Sequence, residues 1–222
     1  MLKQRNIIAY TCIFGKRDPL RMIDSFDGEI QYLLFTDEDK NTNFEKIKIS
    51  NELHPRYLSR KIKCLPHQYL PQHQYSIWFD ASMMPKGKIS SLIDQLKENI
   101  GVYKHRDPMT VQSIAERCAS HKWDNSDIIR EQITKYHKEK MPKNIPTFET
   151  GILVRKNNEQ TNRFNELWWN EIKNHSIRDQ ISFPYCIWKT QINYQFLTPG
   201  IVVENPYFTF HSHNPSEPYR NE

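Results

Sequence analysis

Glycine is scarce in this chain, with six in 222 residues. None of them stand at the spacings of the loops that cradle phosphates or dinucleotides, so neither a P-loop nor a Rossmann fingerprint is present. No flexible linker, low-complexity tract or internal repeat is visible either. Cysteines are fewer still, at four. Cys12, Cys64, Cys118 and Cys186 lie far apart and form no CxxC pair, which argues against zinc-finger or thioredoxin-like chemistry. Scattered single cysteines suit a reducing compartment, where a thiol behaves as a small hydrophobe. No apolar run approaches the ~18–20 residues of a membrane span. The N-terminus, Met1-Leu2-Lys3-Gln4-Arg5-Asn6, lacks both the long apolar region and the small-residue cleavage site of a secretory signal. The expectation is a soluble, cytoplasmic protein.

Other absences narrow the chemistry. There is no HExxH stretch, no nucleophile elbow and no Ser-His-Asp order, so zinc-protease and ordinary esterase readings have no support. Neither sign of charge dominates: 31 Lys and Arg against 26 Asp and Glu leave a formal net charge of +5. That balance fits anionic substrates, nucleic acid or acidic surfaces and selects none of them. The aromatics (five Trp, eleven Tyr and eleven Phe) sit mostly inside apolar runs, where they serve a core. No RNP-type motif accompanies them, so no nucleic-acid partner is expected.

What is present is an alternation of strand-like and helix-like segments. Residues 6–14, 30–36, 44–49, 75–79, 100–104 and 148–154 read as strands. Helices are expected from Pro55 to Pro66 and over 89–96, 110–120, 127–138 and 160–173, with another starting near Ser176. Such interleaving indicates an α/β fold with a mixed, mostly parallel sheet flanked by helices. The length suits one domain, residues 1–205. Residues 206–222, rich in Pro, Asn, His and aromatics, read as an irregular arm packed on it.

The most informative run is Tyr75-Ser76-Ile77-Trp78-Phe79-Asp80-Ala81-Ser82, an apolar strand that stops on an aspartate. Ligands of open α/β sheets gather outside the carboxyl ends of strands. A carboxylate held there suits a hard divalent cation such as Mg²⁺ or Mn²⁺. It equally suits a turn cap. In the helix after Pro55, Leu58, Ile62 and Leu65 make a buried stripe, while Arg56, Arg60 and Lys63 fall on roughly the opposite side. A solvated basic face and an electropositive wall for phosphates both fit that pattern.

Two further segments stand out. Ser176-x-x-Asp179 matches a capping box with Asp179 at the third helical position. A carboxylate at a helix N-terminus is also held ionised, as a catalytic base has to be. In Phe210-His211-Ser212-His213 the two imidazoles alternate sides of an extended chain, so at most one faces a shared site. Imidazole is a common ligand for Mn²⁺-like ions. His105, after a strand, is a further polar candidate.

Several blocks taken in order resemble a known family. They are Tyr10-Thr11-Cys12-Ile13-Phe14-Gly15 with Asp18-Pro19-Leu20, Leu34-Phe35-Thr36-Asp37-Glu38, and Arg60-Lys61-Ile62-Lys63-Cys64-Leu65-Pro66-His67. Ile77-Trp78-Phe79-Asp80-Ala81-Ser82, His105-Arg106, Glu149-Thr150-Gly151, Trp168-Trp169 and Ser176-Ile177-Arg178-Asp179-Gln180-Ile181-Ser182-Phe183 follow. Together they resemble a glycosyltransferase-like family, long catalogued as a domain of unknown function, that includes plant turgor-regulation and seed-mucilage proteins. They are similar also to small nucleotide-sugar transferases of large algal viruses.

The resemblance implies a GT-A fold and transfer of a sugar from a nucleoside-diphosphate donor to a hydroxyl acceptor such as a glycan. It implies that Thr11 lines the nucleotide pocket, Asp37 meets the base or ribose, and Arg60 and Lys63 approach the diphosphate. Asp80 matches the first carboxylate of the Asp-x-Asp element that holds a divalent metal, Mn²⁺ or Mg²⁺. Asp179 matches an aspartate near the acceptor hydroxyl, and Glu149 is an alternative base or a sugar-hydroxyl contact. Ser82 departs from the pattern, standing where many such enzymes carry the second aspartate. Three outcomes follow: the ion is held by Asp80, the diphosphate and a late histidine such as His211; or it is held weakly; or it is dispensable. The same substitution motivates the alternative of a non-catalytic module that binds a nucleotide sugar or glycan.

Overall fold

The first strand, β1 (Ile7–Ile13), is buried along its whole length. Ile8, Tyr10 and Cys12 enter one apolar cluster while Ile7, Ala9 and Ile13 enter another. A strand covered on both faces has to be apolar on both, so its sequence runs on without alternation. The computed structural model to which it belongs describes residues 6–15, 18–39, 41–49, 53–107 and 109–211.

On one side of β1 lie β2 (Ile30–Thr36) and the short, charged β3 (Glu45–Lys48), both parallel to it in turn. On the other side lies β4 (Tyr75–Phe79), again parallel. Beyond β4 come β7 (Phe148–Lys156), β6 (Ile100–Lys104) and β8 (Tyr194–Ile201), giving the seven-stranded order β3-β2-β1-β4-β7-β6-β8. β7 is antiparallel to both its neighbours, and β6 and β8 pair in parallel. The sheet is therefore mixed and mostly parallel, as the alternation of segments implies.

Helices cover the two faces unequally. One face carries α1 (Pro55–Cys64), α2 (Pro66–Tyr69), α4 (Val111–Ser120), α5 (Ser126–Lys138), α6 (Glu159–Asn174) and α7 (Asp179–Thr190). Their buried stripes, among them Leu58 and Ile62, Ile129 and Ile133, and Phe164 and Trp168, join the first cluster. The other face is closed by α3 (Ser91–Gln95) and by a two-stranded sheet of β5 (Met83–Pro85) and β9 (Phe208–Phe210). β5, β8 and β9 are strands that the sequence pattern did not suggest. The start of the expected irregular arm is thus partly ordered as β9. His213 and the remainder of that arm lie outside the described residues.

Two details of this sheet position a site. First, β1 leads to β2 on one side while β4 flanks it on the other, so the loops after β1 and β4 diverge and leave a crevice at their carboxyl ends. Second, Val102 pairs with Leu153, but the next residue, Tyr103, pairs with Glu149. Thr150, Gly151 and Ile152 therefore bulge out of register with β6, and bulges of this kind re-aim side chains beside active sites. Among the described residues no helix is long and apolar enough to cross a membrane. All four cysteines are buried and unpaired.

Candidate active site

A cleft of about 360 Å³ opens at that crevice. Its walls are the end of β1, the first turns of α1, the residues after β4, the β7 bulge and the start of α7. Asp80 follows β4 directly, and its backbone N–H donates to Gly151 O at 2.8 Å. Residues two apart on a strand share a face. The Trp78 indole accordingly reaches Asp80, Nε1 donating to Oδ1 at 2.8 Å. Lys63 Nζ donates to the same oxygen at 3.2 Å. The Asp80 side chain remains 32% exposed and faces the cleft. A Cβ on Gly151 would stand 2.4 Å from Met83 Cε and 3.5 Å from Asp80 Oδ2, so the absence of a side chain there lets Met83 pack beside Asp80.

Lys63 departs from its expected place. It does not share an exposed basic face with Arg56 and Arg60: its side chain is 0% exposed and does not line the cleft. The last turn of α1 is covered both by the sheet and by α6, and the ammonium lies 5.3 Å from the Trp78 ring and 6.0 Å from that of Trp168. A buried ammonium costs several kcal/mol unless it is paired. Here it has two carboxylates, Asp80 and, at 2.6 Å, Asp179 Oδ2. Arg56 and Arg60, one to two turns earlier, do line the cleft.

Asp179 is the first residue of α7, with Arg178 at the cap position. The expected capping box is not formed. Ser176 Oγ instead donates to Asp124 Oδ2 at 2.7 Å and accepts from Arg178 N at 3.2 Å. Freed from capping, the Asp179 side chain turns toward Lys63, where its Oδ2 also accepts from Thr150 Oγ1 at 2.9 Å and lies 3.7 Å from Arg60 Nη1. Burial by itself would raise this carboxyl, but Arg60, Lys63 and Arg178 overcome that and hold it well below the ordinary range.

Glu149 shows the opposite behaviour. Burial pushes its carboxyl above the ordinary value, His105 opposes the rise, and the charges of Asp80 and Asp179 add to it. Its Oε2 accepts from Gln180 Nε2 at 2.9 Å and its Oε1 lies 3.4 Å from His105 Nε2.

The remaining expected site residues stand outside the cleft. Thr11 is buried within β1 and its hydroxyl has no hydrogen-bond partner among the described residues; the cleft begins one residue later, at Cys12. Asp37, at the end of β2, is exposed, and its Oδ2 accepts from Gly15 N at 3.1 Å. Gly15 has φ +67°, a conformation that suits glycine, so Asp37 shapes the turn that forms one lip of the cleft. Ser82 is buried and turned from the cleft, and its carbonyl accepts from His211 N at 2.8 Å. His211 is exposed beside the end of β9.

These donors do not fit a preformed divalent-metal site. Asp80 Oδ1 already accepts two hydrogen bonds, and Ser82 does not enter the cleft. Among the described residues no three His, Cys, Asp or Glu side chains gather as metal ligands.

Three contributors were given no role of their own from sequence. Trp78 could have been found from its i, i+2 relation to Asp80. Arg178, whose guanidinium stacks 5.0 Å from the Trp123 ring, adjoins Asp179 but has no spacing signal of its own. Asp124, which accepts from Ile177 N at 2.8 Å as well as from Ser176, is 53 residues distant from that partner and looks like any loop aspartate.

The family model described as TOD1/MUCI70, glycosyltransferase-like domain, matches residues 1–199. A probable hexosyltransferase, MUCI70 of Arabidopsis thaliana, is 29% identical over 140 residues, or 54% of this chain and 23% of its own length. Alkaline ceramidase TOD1 of the same plant is 26% identical over 138 residues, 55% of this chain and 29% of its own. The chain thus spans less than a third of either curated relative. Among solved structures, apo mouse xyloside xylosyltransferase 1 superposes with a TM-score of 0.45 and 10% identity, over 87% of this chain and 84% of that one. At that distance it does not bear on the chemistry.

Proposed function

Because this chain belongs to the TOD1/MUCI70 family of glycosyltransferase-like domains, we propose that it moves a sugar from a nucleoside-diphosphate donor to a hydroxyl acceptor. The observation that carries this reading is the meeting, at the carboxyl ends of β1 and β4, of Asp80 and Asp179 with a wall of guanidinium groups from Arg56, Arg60 and Arg178.

Breaking the bond between the sugar and the diphosphate leaves negative charge on the departing phosphate oxygens. Arg56 and Arg60 from α1, with Arg178 before α7, are placed to offset it, and fixed charges aimed at a developing anion need no reorganisation as it forms. Asp80, with Oδ1 engaged by Trp78 and Lys63, accepts hydrogen bonds from donor hydroxyls. The acceptor oxygen loses a proton as it attacks. Glu149 suits that proton better than Asp179 does, since a carboxyl with a raised pKa is the stronger base. Asp179, already holding Lys63, Thr150 and Arg60, is a fixed anion that orders the floor of the cleft.

A thermal-shift screen of nucleoside diphosphates and their sugars tests the reading, because a ligand of the native state raises its apparent stability. At least one nucleotide sugar is expected to raise Tm and to release free nucleoside diphosphate on incubation with hydroxyl acceptors. Binding without release under any acceptor would favour the non-catalytic module.

A further inference from the structure

Lys63 occupies the ground between the two carboxylates at the cleft. Its Nζ lies 3.2 Å from Asp80 Oδ1 and 2.6 Å from Asp179 Oδ2, with the lysine wholly shielded from water. Two negative charges therefore meet one buried positive charge, and Arg60, 3.7 Å from Asp179 Oδ2, supplies a second. Arg178 is braced on the Trp123 ring at 5.0 Å, and Arg56 Nη2 donates to Trp123 O at 3.3 Å. One loop residue thus orders guanidinium groups from opposite walls, and all three arginines line the cleft.

A divalent ion arriving here would find the charge of both carboxylates already offset. Among the cleft carboxylates, it would find Asp80 and Asp179 engaged by Lys63 and Glu149 engaged by Gln180 and His105, beside three guanidiniums that repel it. A nucleoside diphosphate would find the reverse. Its oxygens match the planar, forked donors of guanidinium, which bind phosphate with defined geometry and stay charged at any working pH.

Resting on the transferase reading above, we propose that the cleft binds the donor diphosphate through Arg56, Arg60 and Arg178 without a divalent metal. Lys63 is then the resident cation that bridges Asp80 and Asp179. What this adds to the transferase reading is the cofactor requirement: the positive charge comes from the chain itself.

Isothermal titration of the full chain with UDP, GDP, ADP and CDP, in EDTA and again in Mn²⁺, tests the proposal. At least one nucleotide is expected to bind in EDTA with a Kd within about threefold of its value in Mn²⁺. Arg60→Gln and Arg178→Gln are each expected to weaken that binding in EDTA by about tenfold or more. Tightening by Mn²⁺ beyond about threefold overturns the metal-free site while leaving the transferase reading intact. Unchanged affinity in both arginine variants overturns the assignment of the phosphate ligands. No binding of any of the four nucleotides, with or without Mn²⁺, overturns this proposal and the transferase reading together.

Discussion

Lys63 and Asp179, 116 residues apart in sequence, meet at 2.6 Å with neither side chain more than 5% exposed. Removing Lys63 takes the shortest ionic contact from a buried carboxylate and leaves it to Arg60 at 3.7 Å and the Thr150 hydroxyl. Lys63→Met is therefore expected to cost about 3–5 kcal/mol of stability in urea denaturation. The double variant Lys63→Met/Asp179→Asn is expected to lose at least about 1 kcal/mol less than the sum of the single losses. Simple additivity would show that the two groups are not coupled.

The pH dependence of stability follows from the same contact. Asp179 is held well below the ordinary carboxylate range, its burial outweighed by Arg60, Lys63 and Arg178. The folded-state value thus lies below the unfolded one, about 4. Its stabilising contribution is complete above the unfolded value and drains away as pH falls toward the folded value. Wild-type Tm is expected to drop more steeply than that of Asp179→Asn as pH falls below about 4, narrowing the gap between them. Parallel melting curves across that range would contradict the ion pair.

Glu149 gives a kinetic signature. Its carboxyl is raised by burial, against the pull of His105 and with the push of Asp80 and Asp179. A general base works only when deprotonated, so turnover is expected to rise with pH through a midpoint above the unperturbed value of about 4.3. Glu149→Gln is expected to lower kcat about 10²–10⁴-fold and to abolish that acid limb. An acid limb that survives in the variant would place the base elsewhere.

Asp124 holds the approach to α7 through Ser176 Oγ and Ile177 N. Hydrogen bonds to an ionised group contribute about 1.5–3 kcal/mol. Asp124→Ala is therefore expected to cost about that much stability, read by urea denaturation, because it frees the segment that carries Arg178 and Asp179. Stability equal to wild type would mean that this loop does not hold the start of α7.

The fold was legible where burial on both faces forces long apolar runs, as in β1 and β4, and where Asp80 interrupts such a run. Helical spacing put Arg60 away from the buried stripe, and only the family resemblance implied a place for it in the site. The burial of Lys63 was not legible, because a helical projection marks one buried stripe and cannot show that α6 covers a second side. Ser176 and Asp179 have the spacing of a capping box, but Asp124 captures the serine first, a contact made across 52 residues. β8 was hidden by the polar residues of Tyr194-Gln195-Phe196-Leu197-Thr198 and by the Pro199-Gly200 pair that follows. Asp37 and Ser82 fall near the cleft in sequence order, yet backbone turns direct one to Gly15 and the other inward, and no residue pattern encodes those directions.

The central claim is that Asp80 faces a bound donor in a working transferase site, and the release of nucleoside diphosphate from a nucleotide sugar tests it most directly. Asp80→Asn keeps an oxygen for the Trp78 and Lys63 contacts, so the variant is expected to fold. It is expected to release nucleoside diphosphate at least about 10²-fold more slowly than wild type, the scale of losing one preorganised polar group at a reaction centre. Equal release by the folded variant and the wild type would contradict the account.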